Sequence, residues 1–306
     1  MSKDTSHDMR VDIRSDGRAR LPPSRTSENS GSAGASPSRF QPFILETCTK
    51  AVVAFILCVP SVALTLADDA TEKKPDPPRV AMCLPLAINV GETTKVIVRG
   101  WHLEGVKELR SSNSHITLKV LSTSKAEVPN GLDVKRVGDT QIEVEATVAR
   151  DTKPSEVELT VIGPDGDSQP HVILVGSEYP VIADKEANDG FRQAQPVAVP
   201  QAIDGVIHDK RNVDVFAFDI DDEQRLLIEV HARRHGSALD SLLTLFDERG
   251  NIVAVNDDYK RSPDSRIATT LRAGNYFISL QDAHDSGGST HPFRLVIRPH
   301  SATQNE

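Results

Sequence analysis

DSLLTLFDERGNIVAVNDDYKRSPD, Asp240 to Asp264, joins two apolar runs through Asp247-Glu248-Arg249-Gly250-Asn251 and then enters an acidic loop. In the first run Leu243 and Leu245 repeat with period two, which puts them on one face of a half-buried strand, and Ile252 to Val255 reads as a second strand. The turn between them is specified by its residue types. Asp247 can start a type I turn and Gly250 can take the left-handed position, which predicts a hairpin with a glycine bulge.

Outward from this hairpin the same chemistry repeats. Val213 to Ile220 (VDVFAFDI), Arg225 to Ala232, Arg266 to Leu271, Asn275 to Gln281 and Pro292 to Arg298 all read as strands, which predicts eight or nine antiparallel strands. VDVFAFDI has apolar residues on both faces and is expected to be central. Tyr276, Ile278, Leu280, Leu243, Leu245, Phe293, Leu295 and Ile297 supply its core. Further upstream, Lys95 to Arg99, Ile116 to Leu121, Gln141 to Thr147, Glu156 to Ile162 and His171 to Val175 alternate in the same way, separated by the turns Pro129-Asn130-Gly131 and Gly163-Pro164-Asp165-Gly166. About a hundred residues with seven or so short strands and no helical run point to a sandwich of immunoglobulin type. The expected fold class is therefore all-β, with two antiparallel β-sandwiches behind a non-globular front.

That front has its own pattern. Residues 1–50 begin with a Ser-, Arg-, Pro- and Gly-rich stretch that cannot bury enough apolar surface to order itself, so a disordered leader is expected. Ala51 to Ala67 is uncharged and lies between Lys50 and Asp68, the profile of a signal peptide, with Ala63 and Ala67 both suited to cleavage; an uncleaved anchor is the alternative. DDATEKKPDPP, residues 68–78, is a proline-rich linker. The expected domains are then 79–176 and 177–300, with a tail at 301–306. Of Cys48, Cys58 and Cys83 only the last follows the signal segment, so no disulfide within the exported chain is expected. The net charge of −9 argues against nucleic acid and anionic membrane as partners.

PLAINVGETTKVIVRGWHLEGV, Pro85 to Val106, together with VELTVIGPDGDSQPHVILV, resembles the opening and closing strands of IPT/TIG domains, which implies an Ig-like interaction or spacer domain. EANDGFRQA, DVFAFDI, GSALDSLLTLFDERGNIVAVNDD, PDSRIATTLRAGNYFISLQD and HPFRLVI, in that order from Ala183 to Arg298, resemble the bacterial pre-peptidase C-terminal (PPC) domain. That resemblance implies a jelly-roll-like sandwich appended to secreted peptidases and other surface proteins, with no peptidase activity of its own. Chains joining these two domains behind a long leader are similar to secreted proteins of planctomycete-type bacteria.

Chemistry is sparse. Asp184, Glu186, Asn188 and Asp189 fall within six residues, and calcium takes six to eight oxygens. By the pattern of calcium-binding PPC relatives these four would be loop ligands and Asp214 the strand ligand, which implies calcium as the cofactor. Where those relatives carry a further acid, Lys210, Arg211 and Asn212 stand here, which removes a carboxylate and adds two positive charges. The competing reading is a solvated acidic linker. A second acidic loop, Asn256, Asp257 and Asp258 with Asp264, reads as organising its own turn. His231 and His235 are four apart, a spacing that aligns side chains on a helix; here it falls at the end of a strand and brackets Arg233 and Arg234, so no zinc site is expected. Trp101 reads as a core plug, and Tyr259 as an exposed contact in an aromatic set too scattered for sugar stacking. No Gly-x-Ser-x-Gly, phosphate loop or His-Glu-x-x-His occurs. The expected function is a non-catalytic exported module for binding or spacing, secreted or at the periplasm or cell envelope. Its partner is an unidentified protein or extracellular polymer, and membrane contact runs only through an uncleaved residue 51–67 segment. A hydrolase, peptidase or peptidase-associated subunit without a recognisable motif is the alternative.

Overall fold

The computed structural model describes residues 75–129 and 131–300. The expected leader, the signal segment, residues 68–74 of the linker, Asn130 and the tail lie outside the described residues. Period-two alternation becomes strands wherever it is long enough to bury one face. In the first half these are β1 (Arg79–Leu84), β2 (Ala87–Ile88), β3 (Thr93–Trp101), β4 (Glu108–Ser111), β5 (Ile116–Lys125), β6 (Thr140–Val148), β7 (Ser155–Gly163), β8 (Gly166–Asp167) and β9 (His171–Val175). They form two sheets, ordered β1-β3-β6-β5 and β2-β9-β7-β4, with β8 paired to β7. Val96, Val98, Ile142 and Val144 of one sheet pack against Val157, Leu159, Val161 and Ile173 of the other.

The second half repeats the plan with β10 (Val181–Ala183), β11 (Gln195–Pro196), β12 (Gln201–Val206), β13 (Val213–Ile220), β14 (Gln224–His231), β15 (Ser241–Asp247), β16 (Ile252–Asn256), β17 (Arg266–Leu271), β18 (Gly274–Asp282) and β19 (Pro292–Pro299). Its sheets run β10-β12-β19-β14-β17 and β11-β13-β18-β15-β16. Phe216, Phe218, Leu243, Leu245, Ile278, Leu280, Phe293 and Leu295 fill the space between them. The β15–β16 hairpin closes as its residues dictate. The Asp247 carboxylate accepts from the backbone N–H of Arg249 (2.9 Å) and Asn251 (2.8 Å), Gly250 sits at φ +80°, and the register shifts between Leu245 and Phe246.

Three features depart from the sequence expectation. β2–β9, β10–β12 and β11–β13 pair in parallel; each includes an edge strand of two or three residues, too short for alternation to register. A single helical turn, α1 (Val134–Val137), appears where no helix was expected, started by Asp133, whose carboxylate accepts from the Lys135 N–H at 2.9 Å. Trp101 is only half-buried; its Nε1 donates to the Val134 carbonyl (3.1 Å) and the Arg79 guanidinium lies 3.8 Å over its ring. Among the described residues no helix is long and apolar enough to cross a membrane.

The two sandwiches meet along a seam. Met82 of β1 and Val137 of α1 pack on Ala238, and Arg136 donates to the Ala238 carbonyl. Arg294 on β19, buried, forms a forked pair with Asp204 (2.6 and 2.8 Å) and reaches back to the Gly176 carbonyl. The tightest approach is at Gly236, held at φ +89°, where a Cβ would lie 2.2 Å from the Ala81 carbonyl oxygen. We expect Gly236→Ala to cost clearly more than Gly250→Ala in chemical denaturation. Gly250→Ala should lose only the left-handed term, about 1–2 kcal/mol, because its Cβ would meet nothing nearer than Phe191 Cε2 at 3.4 Å. Equal losses would show that the seam accommodates the methyl group.

Candidate metal centre

Side chains two apart on a strand share a face, so Asp214 lies on the same side of β13 as Phe216, Phe218 and Ile220, and all four are buried. A carboxylate at the end of an apolar row is costly unless it is paired or coordinated. Both carboxylate oxygens of Asp214 are buried without a partner at hydrogen-bond distance, and among nearby groups the Asn212 side chain favours its charged form only in part against burial.

The loop after β10 folds over this position. Asp184 N–H bonds the Asp204 carbonyl (2.8 Å), Gln195 accepts from Lys185 N–H (2.8 Å) and donates to the Ala183 carbonyl (3.0 Å), and Val215 N–H bonds the Asn188 carbonyl (2.9 Å). Phe191 then docks the loop by stacking on Phe277 (4.8 Å) and meeting Phe246 edge-on (5.0 Å). Asn188 is fully buried, and its amide donates to Asp184 Oδ1 at 2.9 Å. That leaves Asn188 Oδ1, Asp184 Oδ2 and both Asp214 oxygens, four buried oxygens that receive no donor.

Electrostatics follow from this crowding. Burial, then the charges of Asp184 and Glu186, push the Asp214 carboxyl up from 3.8 to about 8. Burial and then Glu186 raise Asp184 as well. A divalent cation relieves both effects. The donor set, oxygen-rich and anionic, fits a hard cation such as calcium, which takes oxygen ligands.

Glu186 and Asp189 are exposed and stand at the rim, in a cleft of about 430 Å³. Asp189 Oδ1 accepts from Asn212 Nδ2 (3.3 Å), and Asn212 Oδ1 accepts from His208 N–H (3.0 Å). Asn212 therefore ties the acidic loop to the segment between β12 and β13. Of the two cations placed here by the sequence, Arg211 turns toward Asp285 (3.9 Å). The sequence reading missed His208. Its Nδ1 lies 3.1 Å from Glu186 Oε1, and one atom each of Asp184, Glu186 and His208 fall within 4.8 Å of one another. Nothing in its surroundings, IHDKR, signals this, because the contact spans 22 residues of chain.

The second acidic loop does not converge. Asn256 Oδ1 accepts from Arg266 N–H (2.7 Å), Asp257 and Asp258 are exposed, and buried Asp264 accepts from Arg233 N–H (2.6 Å), Arg234 N–H (3.3 Å) and Arg234 Nε (2.6 Å). Its oxygens are committed to arginine and backbone. Tyr259 is no free contact either: its ring is half-buried and the Arg266 guanidinium lies 4.5 Å over it.

No family model matches the chain. A probable subtilase-type serine protease of Deinococcus radiodurans is 33% identical over 103 residues, which cover 32% of this chain and 14% of that protein. Among solved structures, the pre-peptidase C-terminal domain of a collagenase from Bacillus anthracis is similar with TM-score 0.29 and 14% identity, covering 40% of this chain and 99% of that one. PliG from Aeromonas hydrophila, a periplasmic inhibitor of g-type lysozyme, gives TM-score 0.27 and 14% identity, covering 35% and 99%.

The raised Asp214 carboxyl has a testable consequence. The native state keeps a proton that the unfolded chain releases, so between about 3.8 and about 8 this group makes stability fall as pH rises. Below 6.5 His171 and His231, both held near 4 by burial, act in the opposite sense. Between pH 6.5 and 8 in chelator, the chain should lose up to about 1.4 kcal/mol per pH unit, and Asp214→Asn should flatten that slope. Parallel slopes in denaturation series of the two proteins would contradict the assignment.

Proposed function

We propose that the chain is a non-catalytic, exported binding or spacing module of two β-sandwiches, acting at the cell envelope or outside the cell, whose second sandwich is rigidified by calcium. The observation that carries the calcium reading is the set of four donor-less buried oxygens on Asp184, Asn188 and Asp214. These three residues hold the ion from the protein side. Glu186 and Asp189 are the nearest further carboxylates at the rim, and the cleft beside them admits the waters that complete the six to eight ligands calcium takes. When bound, the ion supplies the positive charge that lets Asp184 and Asp214 both ionise at neutral pH. The loop 184–190 is then tied to β13 through the ion as well as through the Val215–Asn188 backbone bond.

The module reading draws on the local identity to part of a probable subtilase-type serine protease. The matched region is 14% of that protein, the size of an accessory segment, and a PPC-like domain is such a segment. The alternative, a hydrolase, finds no usable centre in one place where hydroxyl, imidazole and carboxylate do meet. Thr290 Oγ1 lies 3.3 Å from His291 Nδ1 and Asp282 lies 4.0 Å from His291 Nε2, but Thr290 and His291 are fully buried, so hydroxyl and imidazole are beyond reach of a substrate.

Calcium in excess over its dissociation constant should raise the melting temperature at pH 7.5 by several degrees, since a hundredfold excess is worth about 2.7 kcal/mol. Asp214→Asn should remove the shift and Asp264→Asn should not. An unchanged melting curve of the parent chain would sink the calcium reading, and turnover of a peptide or ester substrate by the purified chain would sink the non-catalytic one.

A further inference from the structure

The end of β14 and the turn after it bring together residues that the sequence keeps apart. Arg233–His235 form a 3₁₀ turn, closed by His235 N–H to the Ala232 carbonyl (3.0 Å) and Gly236 N–H to the Arg233 carbonyl (3.0 Å). The turn folds His235 back on His231, so their rings stack with centroids 5.9 Å apart and planes 20° apart. The four-residue spacing, which on a continued strand would separate the two side chains, therefore brings them together. Facing them from the other sandwich is Glu156 on β7, whose Oε1 lies 3.8 Å from His235 Nε2. One ligand atom each of Glu156, His231 and His235 lie within 4.8 Å of one another.

We propose that Glu156, His231 and His235 form a binding site for a zinc-class divalent cation that bridges the two sandwiches. Two imidazoles and a carboxylate are a donor set for zinc and its late first-row neighbours, and they leave a position open for water. His235 is 2% exposed and its Nε2 has no hydrogen-bond partner. Its other nitrogen, Nδ1, faces the Val172 carbonyl at 3.4 Å. A proton on Nδ1 donated to that carbonyl leaves the Nε2 lone pair free for a metal, the usual second bond of a metal-binding histidine. His231 Nδ1 is likewise buried without a partner.

The surroundings suit the proposal. Burial and then the Arg234 charge hold His231 near 4, and burial lowers His235, so both imidazoles are neutral at pH 7 as metal binding requires. Arg234 itself is occupied by Asp264 (2.6 Å) and Glu229 (3.0 and 3.1 Å), which compensates its charge. His171, lowered to about 4 by burial and then by His235, adds a third neutral imidazole beside the pair. Glu156 and His231 line a cleft of about 300 Å³ with Glu229 and Arg294, room for the water that completes the coordination. A metal here ties a carboxylate of the first sandwich to two imidazoles of the second, across the same seam that Gly236 and Ala81 draw close.

The test uses the full chain prepared without a histidine tag, stripped with chelator and titrated with Co²⁺ while visible absorption is read. The expected result is one Co²⁺ per chain with ligand-field absorption well above that of hydrated cobalt, displaced by Zn²⁺. His231→Gln and His235→Gln should weaken binding more than about 100-fold, beyond the loss of a merely supporting partner. Glu156→Gln, at an exposed side chain that folding does not depend on, should weaken it about 10-fold or more and keeps the test decisive if a histidine variant fails to fold. His208→Gln and Asp214→Asn should leave the titration unchanged, which separates this site from the calcium reading. Absent absorption in the parent chain, affinities unchanged by Glu156→Gln, or loss of the signal in His208→Gln would each overturn the proposal.

Discussion

A carboxylate at the end of an apolar row is the constraint around which the second sandwich is arranged. Asp214 follows the inward parity of Phe216 and Phe218 on a strand flanked on both sides, so it cannot turn to solvent without removing its neighbours from the core. An uncompensated charge there costs several kcal/mol. The chain meets this by folding the segment between β10 and β11, residues 184–194, pinned by Gln195 and Phe191, across the end of the sandwich. That stretch brings more oxygens rather than donors. A protein that needed only to neutralise Asp214 would place a lysine, an arginine or an amide hydrogen beside it. Here the amide hydrogens of Asn188 are turned to Asp184, and both Asp214 oxygens stay without a donor at hydrogen-bond distance, the feature on which the proposed cation rests.

The seam between the sandwiches rests on different physics. Its apolar contact is small, Met82, Val137 and Ala238 with a few partly buried neighbours. Specificity comes from backbone approach and from arginine. Gly236 lets the turn after β14 lie directly on β1, and Arg294 spans Asp204 and the Gly176 carbonyl, fixing the angle at which β9 hands the chain over to the second sandwich. His171, His231 and His235 meet at this seam, where the turn that carries Gly236 also carries His235.

How much of this was legible in the sequence depended on the range of the interaction. Alternating runs such as VDVFAFDI and the Asp247–Gly250 turn are local, and they gave strands and a hairpin in the right places. Gln201–Val206, QAIDGV, was not read as a strand because glycine and aspartate interrupt its apolar positions, yet it pairs along its whole length with β19. The acidic segment at Asp184 to Asp189 was visible as a cluster of oxygens, and its convergence with Asp214 came from the resemblance to PPC domains. His208 and Asn212 join it through contacts 22 and 23 residues apart, which no local pattern encodes. The approach of His231 to His235 was hidden for a local reason: three residues of 3₁₀ turn, too short to show any periodicity, fold the second side chain back beside the first.

The most direct measurement is a crystal structure of the chain grown with calcium at neutral pH. The account predicts a single ion with oxygens of Asp184, Asn188 and Asp214 at about 2.3–2.6 Å. A protonated Asp214 sharing a hydrogen bond with Asp184, with no ion between them, would contradict it.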